Sequence, residues 1–128
     1  MRVKKQEKKI QESREYLKDI AIQSILDKKG EQVVSLDLRQ INESVTDYFI
    51  ICEASSTTQI KAIADNVIEK VKVLSGEMPW HKEGMENLEW VLIDYVSLVV
   101  HVFLREKRSY YMLEELWADA VATEHNDA

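Results

Sequence analysis

Only one cysteine, Cys52, occurs in the 128 residues, so no intrachain disulfide can form. That suits a reducing compartment. Cys52 lies within an apolar stretch and reads as a small buried hydrophobe rather than a nucleophile. A single proline and three glycines leave little to divide the chain, which fits one compact domain. No run approaches the ~20 apolar residues that span a bilayer. The longest candidate, Leu98 to Leu104, is short and carries His101. No apolar signal core follows the basic N-terminus, so a cytoplasmic protein is expected. His81, His101 and His125 are scattered and no zinc-ligand spacing or glycine-rich phosphate loop occurs, so no metal or cofactor is expected.

What is present is charge, unevenly placed. Residues 1–18 hold seven basic residues (Arg2, Lys4, Lys5, Lys8, Lys9, Arg14, Lys18) against Glu7, Glu12 and Glu15, a surplus of four. The remainder therefore carries minus ten to reach the overall minus six. An acidic body repels phosphate and suits a basic protein surface, whereas residues 2–18 could make a minor contact with RNA. The other reading of such a run is a solvated, frayed helix end.

Apolar periodicity gives the elements. Leu17, Ile20, Ala21, Ser24 and Ile25 follow helical spacing within about 11–29, with Gly30 as a left-handed stop. Alternation at Val34, Leu36 and Leu38 predicts a half-buried strand, and Tyr48 to Cys52 a central strand covered on both sides. Ser56 to Gln59 has capping-box spacing, opening a helix whose stripe is Ile60, Ile63, Ala64, Val67, Ile68 and Val71. Met78 to Lys82 predicts a short strand, Trp90 to Tyr95 and Leu98 to Arg105 a hairpin, and residues 106–121 a last helix. The final residues are polar and expected to lack structure. The order implies an α/β (α+β) domain, a mixed sheet with flanking helices. The boundaries are a basic extension over 1–14, helical or frayed, a domain over 15–121 and a polar tail over 122–128.

Two blocks carry a family resemblance. The first runs through Asp47, Tyr48, Ile50, Ile51, Cys52 and Ser55-Ser56 into Gln59, Ala62, Ile63, Ala64 and Asp65. The second holds Glu83-Gly84, Trp90, Asp94-Tyr95, Val99 to Phe103, Tyr111, Leu113-Glu114, Leu116-Trp117 and Asp119-Ala120. In order and spacing these resemble the Iojap/RsfS family of ribosomal silencing factors, over roughly residues 15–121. The resemblance implies a nucleotidyltransferase-like fold without the catalytic carboxylates. It also implies a non-enzymatic repressor that binds large-subunit protein L-fourteen, blocks subunit joining under nutrient limitation, and forms a homodimer when free. The chain departs from the family pattern at Val96-Ser97, where Gly-Asp is frequent, at Glu53-Ala54, where Ser-Gly or Thr-Gly is common, and at Ala118.

Nucleotidyl transfer would need clustered carboxylates holding two metal ions. No acidic-x-acidic triplet occurs, Ala54 stands where the phosphate-loop glycine would, and Ser56 reads as a helix cap. An enzyme is therefore not expected. Alternation places Trp90, Leu92 and Asp94 on one sheet face, and Val99, His101 and Phe103 together on the next strand. Two readings of this face stand: an open aromatic and acidic patch for a partner, or Trp90 in ordinary core above a buried, hydrogen-bonded His101. Tyr110 and Tyr111 project about 100° apart on their helix and precede Glu114, an edge suited to a basic protein. The expected contact set is Trp90, Asp94, His101, Tyr110, Tyr111 and Glu114, with Trp80 as a second contact or dimer surface.

Overall fold

In the computed structural model of the protein the description covers residues 2–41, 46–111 and 120–126, without the side chains of 2–7, 10, 11 and 109–111. Helix α1 (Arg2–Asp27) has 26 residues and is about 39 Å long at 1.5 Å per residue. It begins well before Gln11, so the basic extension is part of one continuous helix. Leu17, Ile20, Ala21, Ser24 and Ile25 are buried, while Lys8 and Lys9 stand in solvent. The helix ends differently from expectation. Lys29, not Gly30, takes the left-handed conformation (φ 64°). The Gly30 N–H then donates to the Ile25 carbonyl at 2.9 Å and the Lys29 N–H to Leu26 at 3.0 Å. Gly30 serves close packing instead, since a Cβ there would lie 2.3 Å from Ile25 Cγ2.

Helix α2 (Thr57–Ser75) opens on Ser56, whose Oγ accepts from the Gln59 N–H at 3.2 Å. The Gln59 side chain does not return to the cap as a capping box requires. It donates to the carbonyls of Lys28 and Lys29, binding the start of α2 to the end of α1.

The sheet contains β1 (Glu31–Asp37), β2 (Tyr48–Ala54), β3 (His81–Glu83), β4 (Trp90–Asp94), β5 (Leu98–Leu104) and β6 (Val121–His125). Their spatial order is β3-β4-β5-β2-β1-β6. Among the described strands only β2 and β5 pair in parallel, which makes the sheet mixed, as expected for this α/β chain. Every β2 residue is buried, as a central strand demands.

The C-terminal end departs from the sequence reading. Residues 122–125 of the polar tail belong to a strand: β6 pairs antiparallel with β1, and the His125 imidazole lies 2.8 Å from Ser35 Oγ. Alternating burial could not reveal it, because its side chains are almost all exposed and backbone hydrogen bonds carry the pairing. The last helix is described as α3 (Arg105–Tyr111), and Val121 belongs to β6, not to the helix. Leu113, Glu114 and Trp117 lie outside the described residues.

The pleat divides the core in two. On one face Ile50, Cys52, Val91, Ile93, Val100 and Val102 pack with Leu17, Ile25, Ile60, Ile63 and Val67 from α1 and α2. On the other, Leu36, Leu38, Phe49, Ile51, Val99 and Phe103 form a smaller cluster, with Trp90 and Leu92 half-buried at its margin.

Candidate partner-binding site

The second face carries the sequence-predicted residues. Register sets Trp90 opposite Phe103, Leu92 opposite His101, and Asp94 opposite Val99. Trp90, Asp94 and His101 therefore share a face, as alternation required. They are not equally available. His101 is only 3% exposed, so it does not offer a surface contact, which corrects its place in the expected contact set. Its burial follows from its position in β5, between the β2 and β4 neighbours Ile51 and Leu92.

His101 instead supports Trp90. The indole Nε1–H donates to His101 Nδ1 at 3.0 Å, which puts the ring proton of a neutral His101 on Nε2. Burial pushes the imidazole pKa down from 6.5 to about 4, so it is neutral at physiological pH. Trp90 also stacks on Phe103 with ring centroids 5.1 Å apart, and Phe49 meets His101 edge-on at 4.8 Å. The result is a half-buried indole held in one orientation with one side left accessible.

Gly84 fixes the approach of β4. Its φ is +86°, and an added Cβ would stand 1.9 Å from the Trp90 carbonyl oxygen. At the other end of the strand Asp94 is half-buried, and its Oδ1 accepts from the Val96 N–H at 2.7 Å. Trp80 sits beside it, its backbone N–H donating to the Asp94 carbonyl and its side chain 76% exposed.

Tyr110 and Tyr111 lie at the end of α3, with side chains outside the description, and Glu114 is outside the described residues. The start of α3 is fixed by charge. The Glu53 carboxylate accepts from Arg105 Nε at 2.9 Å and meets Arg108 Nη1 at 3.3 Å. Arg105 also bonds Glu31, and Arg108 donates to the Gln32 carbonyl. Sequence reasoning noted Glu53 as a departure but missed this network, since i to i+52 pairs leave no periodic signal.

The carboxylates a phosphotransfer site would use are otherwise engaged or isolated. Asp47 pairs with Arg14 at 2.7 Å, and Ser56 caps α2. Among the described residues no three His, Cys, Asp or Glu side chains gather as a metal-holding group. Cys52 is sealed in the core, and burial pushes its thiol pKa up to about 12. Nor is any described helix long and apolar enough to cross a membrane.

Fold and site thus define a small mixed α/β domain with an aromatic and acidic face beside a hairpin. Residues 10–128 match the family described as ribosomal silencing factor during starvation. The ribosomal silencing factor RsfS of Halalkalibacterium halodurans is 42% identical over 112 residues, covering 88% of this chain and 94% of that protein. A mouse protein named for mitochondrial assembly of the ribosomal large subunit is 36% identical over 74 residues, or 56% of this chain and 32% of its own length. A crystal structure of a Chromobacterium violaceum protein superposes with a TM-score of 0.76 at 35% identity, covering 81% of this chain and 85% of that one. The chain belongs to the RsfS family of ribosomal silencing factors.

Proposed function

We propose that this protein silences translation by occupying the large ribosomal subunit on protein L-fourteen, so that the small subunit cannot join when nutrients are scarce. The observation that carries the reading is the Trp90 indole, pinned by His101 and Phe103 yet still accessible, on the same face as Asp94. A rigid half-buried aromatic beside a carboxylate is what the energetic centre of a protein interface needs. Trp90 and Tyr111 would bury area, Asp94 and Glu114 would meet basic groups, Tyr110 would lie beside them, and His101 would act from beneath. A specific complex of this kind buries about 1,600 Å², and each anchor can supply ~2 kcal/mol or more. No chemical step is required.

On this reading the scaffold is nucleotidyltransferase-like, with Asp47 given over to Arg14. The mechanism acts in the cytoplasm, where subunits meet. The basic run in 2–18 would add a minor contact to ribosomal RNA. The free chain would form a homodimer, with the exposed Trp80 as either the dimer surface or a second ribosomal contact.

Sucrose-gradient sedimentation with separated subunits tests the proposal. The protein should travel with the large subunit and lower 70S formation, and a folded Trp90→Ala variant should do neither. Unchanged co-sedimentation of that variant would reject the assignment.

A further inference from the structure

We propose that the cleft beside the β4–β5 turn receives one cationic side chain, an arginine or a lysine, from the protein partner. The proposal rests on the reading above for the partner's identity, but its chemistry is local. The cleft has a volume of about 310 Å³ and is lined by Thr46, Trp80, Asp94, Val96 and Val99. That is the lower end of the range for small-ligand sites.

The first observation concerns charge. Five acidic side chains among the described residues are buried or half-buried: Glu15, Asp37, Asp47, Glu53 and Asp94. Four of them face an arginine, Glu15 and Asp37 through Arg39, Asp47 through Arg14, and Glu53 through Arg105 and Arg108. Asp94 has no cation among the described residues. Its Oδ1 is used by the Val96 N–H, and Oδ2 points to no described donor. A half-desolvated carboxylate without a counter-charge favours binding one.

The second observation is backbone strain. Val96 has φ +74°, a left-handed conformation that opposes a β-branched residue and that glycine would adopt freely. Packing does not explain its presence, because Val96 is 60% exposed. It instead lines the cleft together with the open Trp80, Val99 and Asp94. Apolar walls around a carboxylate match the aliphatic stem and charged head of arginine or lysine, and the indole adds cation–π attraction. Asp94 lies on the Trp90 strand, so the cleft extends the proposed interface.

The test has two arms. In the first, ¹⁵N-labelled protein is titrated with Nα-acetyl-arginine amide, Nα-acetyl-lysine amide and the uncharged Nα-acetyl-citrulline amide. The Trp80 indole and Val96 amide signals should shift with a charged probe and not with citrulline, and Asp94→Asn should abolish the shift. The stronger of the two charged probes identifies the preferred cation. Equal shifts from citrulline, or none from either cation, would overturn the proposal.

In the second arm Val96→Gly should raise the melting temperature by a few degrees yet weaken large-subunit binding about ten-fold. Asp94→Asn should weaken it similarly and flatten its salt dependence. If both variants bind as the parent does while Trp90→Ala does not, the cleft assignment fails and the silencing reading stands. If Trp90→Ala also binds normally, the silencing reading fails and the probe titrations decide the cleft alone.

Discussion

Trp90 and His101 are cross-strand neighbours joined by a single hydrogen bond of 3.0 Å, the indole donating to a histidine nitrogen that must be unprotonated to accept it. The half-exposed indole and the buried core are thereby linked through one proton.

That linkage sets a pH dependence. The folded pKa of His101 is about 4 and its ordinary value 6.5, so the unfolded chain binds the proton first as pH falls. The contribution of His101 to stability is complete above about pH 6.5 and is lost progressively toward pH 4, by about 3 kcal/mol in total. Urea denaturation at pH 7 and pH 5 should show the decline, and His101→Phe should remove most of the slope. A slope unchanged in that variant would place the effect elsewhere.

Gly84→Ala should destabilise the protein by more than about 2 kcal/mol, since the methyl group collides with the Trp90 backbone and φ +86° disfavours any side chain. The loss should show in the denaturation midpoint. Any folded remainder should have a shifted Trp90 indole resonance.

Glu53 holds two guanidinium groups, those of Arg105 and Arg108. Glu53→Gln should leave the sheet intact but free the start of α3. Amide exchange in residues 105–111 should rise well before exchange in β2 and β5. Equal exchange rates in both regions would mean that the ion pairs contribute little.

Removing residues 2–10 takes away Arg2, Lys4, Lys5, Lys8 and Lys9 while sparing Leu17, Ile20, Ala21, Ile22, Ser24 and Ile25, the buried residues of α1 among those described. Stability should change by less than about 0.5 kcal/mol, as for surface changes generally. Large-subunit affinity should fall only modestly, with a shallower dependence on salt concentration. A complete loss of binding would make the arm, not Trp90, the principal anchor.

The helices and inner strands were legible because each buries a periodic stripe: Ile60 to Val71 at helical steps, Val34 to Leu38 at alternate positions. The face of Trp90 and Asp94 followed from the same pleat. The features that escaped lack periodicity. Strand β6 is held by its backbone, Glu53 recruits arginines from distant sequence, and Lys29 bears the left-handed turn where glycine was expected. Val96 was visible in the sequence as a missing glycine, but its strained φ and the cleft it walls needed the fold. His101 shows how an alternating pattern assigns a face and not its depth.

The parallel partnership at the centre of the sheet, Tyr48 with Leu98 through Ala54 with Leu104, joins residues fifty positions apart. Closing so large a loop has an entropic cost that local contacts cannot offset early, so assembly should be slow for a domain of this size. While the polypeptide is being synthesised, the largely apolar first member of that pair, Tyr48 to Ala54 with Glu53 as its one charge, emerges long before its mate. During that interval a nascent chain of this sequence presents a sticky ribbon, and a chaperone waiting at the exit tunnel would find it a natural client.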